Sequence, residues 1–552
     1  MSARPRRTLA LALILALSGV GVASWLFLSP AADESAPFAV APDFAAPSPT
    51  RDDAQRTDDD DWLGTAASSD HARAELASLL KERLNRAGVR ADEALLAFKD
   101  AESYRRFLER ARTSGLDILG RIDGLHAVRV RVADYGSLAG EIAGNVADYV
   151  SVGANPILSS SPPPAEERSA RSAFPVGDNL LSVLGLSPDI DTSDWGRGVL
   201  VAVLDGGAVA DPTFGARLRY LDIGYGLTGA GADGFHGTAV ASLVGGASPD
   251  ARGVAPAADI LSIRVTGADG MSDAFSVAQG ILAAIDAGAK VVNISLGGYA
   301  TSPLLGEAIE QALAAGVAVV ASSGNDQVSR LAWPAAYEGV VSVGATDAAG
   351  IQAIFSNSGD GLLLTAPGYA IQAAGLAGTR TSFSGTSASA PVVSGAIAAL
   401  LSQFPQLTPL QAADILAEYS NDGGVAGADP DYGRGTLNLG WAMNRNDPSR
   451  VDPAISSQSY DAASKLVSVV VQNRGSKSLS GLRLSVDLNG ATTTTSLPYL
   501  TAGTSTTVRI SAASAPRNAD GRLVVTSRLI LPSGVSDQDL SNNARRGVAS
   551  LP

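Results

Sequence analysis

Between about Phe174 and Met443, short apolar runs alternate with longer stretches whose apolar residues recur at helical spacing. Val199–Leu204, Ile260–Val265, Lys290–Ser295, Val317–Ser322 and Val340–Gly344 lack polar alternation, as strands buried on both faces do. Ser272–Ala287 and Leu304–Ala315 read as helices between them. This order predicts an α/β domain over residues 174–445, a parallel sheet flanked by helices, with its reactive groups at the carboxyl ends of the strands.

The flanks carry other patterns. Ala72–Ala87 predicts a charged amphipathic helix. After it come a strand at Ala94–Lys99, a helix at Ala101–Ser114 with Tyr104, Phe107 and Leu108 on one face, and strands at Leu116–Ile122 and His126–Val132. A helix at Ser137–Ile142 and an extended Tyr149–Leu158 complete residues 72–159. That order is ferredoxin-like α+β. Beyond Asn446, short and partly alternating runs separated by Gly, Ser and Asn turns predict a β-sandwich over residues 455–552.

Three segments read as connections or signals. Arg4, Arg6 and Arg7 precede an apolar run from Leu9 to Leu28. Residues 1–31 are therefore a signal peptide or, if uncleaved, a signal anchor, and the rest of the chain is expected to be secreted, periplasmic or at the cell surface. Residues 32–71 are rich in Pro, Asp, Ser and Ala and poor in large apolar groups, which predicts a disordered acidic linker. Residues 160–173 form a second, exposed link.

Composition narrows the function. The formal net charge of −14 argues against a nucleic-acid partner, since phosphate affinity needs clustered Lys and Arg. With no cysteine, the chain has neither disulfides nor thiolate metal sites. Only three histidines occur, and His236 is the one inside the α/β domain. In isolation, His236 is more often structural than catalytic. Asp205, ending "VLVAVLD", is by itself a strand-end turn residue. Ser387, in "FSGTSASAPVVSG", is by itself a helix cap, and Asn325, in "ASSGND", a turn residue. Together they fit one chemistry. A serine hydroxyl is a poor nucleophile near neutral pH, and an imidazole can take its proton. A carboxylate then fixes the imidazole tautomer.

"VAVLDGG", "FHGTAVAS" and "SFSGTSASAPVVSG" resemble, in order and spacing, the signature blocks of the subtilisin-like serine peptidases. "VVNISLGG", "VAVVASSGND" and "YGRGTLNL" agree, and the resemblance covers roughly Trp195 to Met443. It implies a catalytic triad of Asp205, His236 and Ser387, with Asn325 in the oxyanion hole. Ser295, Leu296 and Gly297 would offer backbone to an extended substrate, with Gly324 and Ala332 near the pocket for the residue before the cut. No acid is apparent at the floor of that pocket, so small or apolar residues are expected there rather than Lys or Arg. The chain departs from the family pattern at Gly206, Ala239 and Ala388, where the family usually has Ser or Thr, His and Met.

The resemblance further implies polypeptide substrates and a first module that is an autoprocessed, inhibitory propeptide. No cofactor is required for the chemistry. Structural calcium is compatible with the family, but no Asp cluster identifies a site. The last module resembles Ig-like adhesion-type domains that bind a surface or polymer partner, or only stabilise. The alternatives are a catalytically weak subtilisin-like scaffold, or an adhesin whose peptidase processes only itself.

Overall fold

The computed structural model describes residues 70–160, 174–187, 189–224, 234–267, 269–461, 463–516 and 522–549. The signal or anchor segment, the acidic linker before residue 70 and residues 161–173 of the processing link lie outside them.

The first module contains α1 (Asp70–Arg83), β1 (Val89–Phe98), α2 (Ala101–Ser114), β2 (Asp117–Ile122), β3 (Ala127–Arg131), α3 (Tyr135–Gly144) and β4 (Tyr149–Leu158). The strands pair antiparallel in the order β2-β3-β1-β4. Leu96, Phe98, Phe107, Val128, Val130, Leu138 and Ile142 form a core between sheet and helices. Asp100 caps α2 by accepting from Ser103 N, and Gly115 ends it in the left-handed region. β1 starts earlier than its apolar run indicates. Its polar opening, Arg90 to Glu93, hides a strand that already pairs Val89 with Pro156 before a bulge.

The central domain holds α4 (Leu180–Val183), β5 (Leu200–Asp205), β6 (Leu218–Leu221), α5 (Gly234–Gly245), β7 (Asp259–Arg264), β8 (Ser272–Asp273), α6 (Ala274–Asp286) and β9 (Val291–Ile294). It continues with α7 (Pro303–Ala314), β10 (Ala318–Ser322), β11 (Val341–Thr346), β12 (Leu364–Pro367), β13 (Ile371–Ala374), β14 (Arg380–Phe383), α8 (Thr386–Gln403), α9 (Pro409–Glu418) and α10 (Leu439–Met443). A seven-stranded parallel sheet runs β12-β11-β10-β9-β5-β7-β6. Successive residues of β5 serve two cores, because side chains alternate across a strand. Val201 and Val203 join the core that contains α5 and α8, and Leu200, Ala202 and Leu204 join the one with α6 and α7.

The helix expected at Ser272–Ala287 is two elements. Asp273 has extended backbone (φ −150°, ψ 167°) and caps α6 through Ser276 N. Ser272 and Asp273 pair instead with Leu158 and Ile157, so β8 is the fifth strand of the first module's sheet. Helical periodicity could not reveal this, since two residues with a cap among them carry no period of their own.

The last region has two antiparallel sheets. One is β15 (Pro453–Asp461), β16 (Leu466–Asn473) and β19 (Ser505–Ser511). The other runs β18-β17-β20-β21, from β17 (Arg483–Leu488), β18 (Ala491–Ser496), β20 (Leu523–Ile530) and β21 (Ala544–Ala549). Val467, Val469 and Val471 share one core with Leu484, Val486, Leu488 and Val525. Gln472 joins it to the central domain. Its Nε2 donates to Ser420 O (3.0 Å) and its Oε1 accepts from Asp422 N (3.2 Å).

Candidate active site

β5 delivers Asp205 to the carboxyl end of the sheet, where the side chain is almost wholly buried. A carboxylate there needs compensating donors. Gly206 N supplies one at 2.7 Å. His236 Nδ1 lies 2.9 Å from each carboxylate oxygen. Because a carboxylate only accepts, Nδ1 carries the proton and Nε2 is left as the basic nitrogen. The approach depends on Gly237: a Cβ there would sit 2.4 Å from Gly207 O. The His236 ring stands edge-on to Phe383, centroids 5.3 Å apart at 75°. Ala239, where the family usually has a second histidine, is buried in the core beneath.

Ser387 is the second residue of α8, and its position follows from a proline. Pro391 has no N–H, so the carbonyl four residues earlier, that of Ser387, lacks its helical partner. Ser295 Oγ donates to it at 3.2 Å, and Ser387 Oγ donates back to Ser295 O at 3.3 Å. Asn293 Nδ2 holds Ser295 Oγ at 3.0 Å, while Asn293 Oδ1 accepts from Ser394 Oγ. A nucleophile that turns to a carbonyl rather than its base is unexceptional, since catalytic hydrogen bonds tighten only in the complex with the reacting substrate.

The first turn of α8 also positions Asn325. Thr386 N and Thr386 Oγ1 both donate to Asn325 Oδ1, at 2.8 and 2.9 Å. With its oxygen so engaged, the amide has only its NH₂ to offer elsewhere. Thr386 escapes sequence reasoning because its role lies in a hydrogen bond to a strand end 61 residues away.

A cavity of about 350 Å³ opens beside Ser387 and Asn325. Its lining includes Ser295, Gly297, Gly324, Asn325, Ala332 and Ser387. Leu296 is not in the lining; its side chain is buried in the core below. The first module enters from one side. Ser159 pairs with Gly297 through two hydrogen bonds of 3.0 Å, so Ile157 to Ser159 lie as a strand between β8 and the Ser295–Gly297 segment. Gly298 permits this, because a Cβ there would be 2.4 Å from Ile157 O.

The profile of the subtilase family, Peptidase S8, matches residues 196–435. Subtilisin BL of Lederbergia lenta is 36% identical over 245 residues, which are 44% of this chain and 90% of that protein. The chain belongs to the subtilase family. It is a serine-type endopeptidase, a hydrolase. An alkaline protease of Shouchella clausii is likewise 36% identical over 245 residues, 63% of that protein. Among solved structures, fervidolysin from Fervidobacterium pennivorans, a keratinolytic enzyme related to subtilisin, has a TM-score of 0.53 at 21% identity, over 85% of this chain and 77% of that one. The epidermin leader peptide processing serine protease of Staphylococcus aureus gives 0.53 at 20% identity, over 64% and 99%. At such identity, these two likenesses speak for the fold alone.

The cavity of this subtilase is also bordered by an exposed acid. Asp326 lines the cavity, paired with the hydroxyl of Tyr299. Asn357 Nδ2 donates to the same hydroxyl at 2.7 Å, and the Arg330 guanidinium lies 4.2 Å from the ring centre. Burial, then Asp326, push the Tyr299 hydroxyl up to about 12. The acid sits next to Asn325 in "GNDQ", but its turn toward Tyr299 is a tertiary fact. Among the described residues, no three His, Asp or Glu side chains converge to hold a metal, and no helix is long and apolar enough to cross a membrane.

Proposed function

We propose that this subtilase is an exported endopeptidase that cleaves polypeptides through an acyl-enzyme formed on Ser387. His236 Nε2 takes the Ser387 proton and returns it to the leaving amine, while Asp205 holds the imidazole tautomer and stabilises the imidazolium. The Asn325 NH₂ and the Ser387 N–H stabilise the oxyanion. The observation that carries this reading is the contact of His236 Nδ1 with both Asp205 oxygens at the end of β5, whose neighbour β9 leads into Ser295, the partner of Ser387 Oγ.

The chain is made as a precursor. Its first module is an intramolecular inhibitor that the enzyme removes by cutting within the 160–173 link. Supporting this, Ile157 to Ser159 occupy the strand slot that an extended substrate would need. Export rests on Arg4, Arg6, Arg7 and the Leu9–Leu28 run. The last region is an Ig-like sandwich that stabilises the central domain, supported by the buried Gln472 bonds to Ser420 and Asp422.

The test is expression of the wild type and Ser387→Ala, following precursor size and casein cleavage. The wild type should shorten and cleave casein, and the variant should do neither. Shortening in the variant would defeat self-processing, and an inert wild type would favour a binding scaffold.

A further inference from the structure

The loop before α6 holds an arginine of the first module in a set of oxygens that the central domain itself orients. Arg90 Nη1 pairs with Asp269 Oδ2, Arg90 Nη2 donates to Met271 O at 3.0 Å, and Arg90 Nε lies 3.5 Å from Asp273 Oδ2. Arg129 Nη1 adds a second guanidinium on Asp273 Oδ2 at 3.1 Å. The opposite oxygens are fixed from within the central domain. Asp269 Oδ1 accepts from Met271 N at 3.1 Å, and Asp273 Oδ1 accepts from Ser276 N and Oγ at 2.9 and 2.8 Å. These internal bonds do not involve the first module, so the three acceptors stay aimed when it leaves. Two carboxylates and a carbonyl around one planar cation make a guanidinium receptor rather than a plain acidic patch.

Its place relative to the cleft gives it meaning. Asp273 is the direct antiparallel partner of Ile157, and Ser159, two residues on, pairs with Gly297 beside Ser387. A substrate taking over this slot would run in the same register. Resting on the peptidase reading above, we propose that the Asp269–Asp273 rim is a substrate subsite. It takes an arginine at, or one residue either side of, the place held by Ile157, upstream of the cut. Arg90 and Arg129 occupy it in the precursor, so the first module covers both the strand slot and the side-chain receptor.

The test uses protein produced from the full chain, assayed on extended neutral peptides that carry Arg, Ala or Glu two residues before the one that pairs with Gly297. Each is compared by kcat/KM. Ratios are independent of how much enzyme has shed its first module. The Arg-to-Ala ratio should be about ten, mostly through KM, and should shrink in high salt. In Asp269→Asn it should fall toward one, and Asp269→Lys should favour Glu over Arg. Cleavage of all peptides at equal rates, or an Arg preference that survives both variants, would overturn the subsite while leaving the peptidase reading intact. Cleavage of none would overturn both.

Discussion

The chemical centre and the strand slot beside it are built on opposite plans. At the centre, each polar group is held by another group of the same domain, and of these only His236 is partly exposed. Asp205 is held by Gly206 and His236, Ser387 by Ser295, and Asn325 by Thr386. In the slot, a strand from another module is held by backbone pairing and by partly exposed arginines on Asp269 and Asp273. The first plan resists exchange, because leaving one partner unpaired in the interior is costly. The second invites it: a backbone ladder accepts any extended chain, and the Arg90–Asp269 pair, half exposed on the carboxylate side, contributes little. Chemistry that must stay in register and a strand that must be replaceable therefore meet at Gly297 and Ser387.

The sharpest break in this comparison is Ser387→Ala or His236→Ala. In subtilisin itself, loss of the nucleophile or base costs about 10⁶ in turnover, and casein hydrolysis should fall comparably; a variant of near-normal rate would defeat the assignment. Asn325→Ala should cost about 10²–10³ in kcat with little change in KM, because it removes one oxyanion donor. Ser295→Ala should act on folding more than on rate. It leaves Ser387 O and Asn293 Nδ2 unpaired, at about 1–3 kcal/mol of stability, read as a lowered Tm. An unchanged Tm would mean that another donor replaces Ser295 Oγ.

The smallest effect belongs to the slot. The Arg90 hydrogen bond holds the Asp269 carboxyl below its usual range. A depressed value means that the contact is at full strength above the ordinary Asp pKa of about 3.9 and fades as pH falls through the lowered one. Relative to the intrinsic amide rate at each pH, hydrogen exchange at Ser159 and Gly297 in the Ser387→Ala chain should therefore rise a few-fold below about pH 4. Asp269→Asn should already show that rise at pH 7. No response to acid would mean that backbone pairing alone holds the strand.

Much of the central domain was legible along the chain. β5 is an apolar run up to Asp205, and β7, β9, β10 and β11 are mostly apolar without polar alternation, because parallel strands are covered on both faces. His236 could be singled out because histidine is scarce in this chain. Thr386, Asp326 and the receptor at Asp269 and Asp273 stayed hidden. Each acts through a partner far away in the chain: Asn325, Tyr299 or Arg90. β8 was masked for a related reason, since two residues carry no periodicity and its partner strand lies in another module.

By itself, then, the sequence determined the alternation of strand and helix, the family and the identity of the candidate nucleophile, base and carboxylate. Those features reside in local pattern and residue type, which burial and reactivity constrain directly. Only the tertiary structure decided how Pro391 hands the Ser387 carbonyl to Ser295, how the first module enters the slot, and where an arginine can be held beside it. Such facts depend on which distant polar groups meet when apolar faces are buried, and local periodicity carries no record of that meeting.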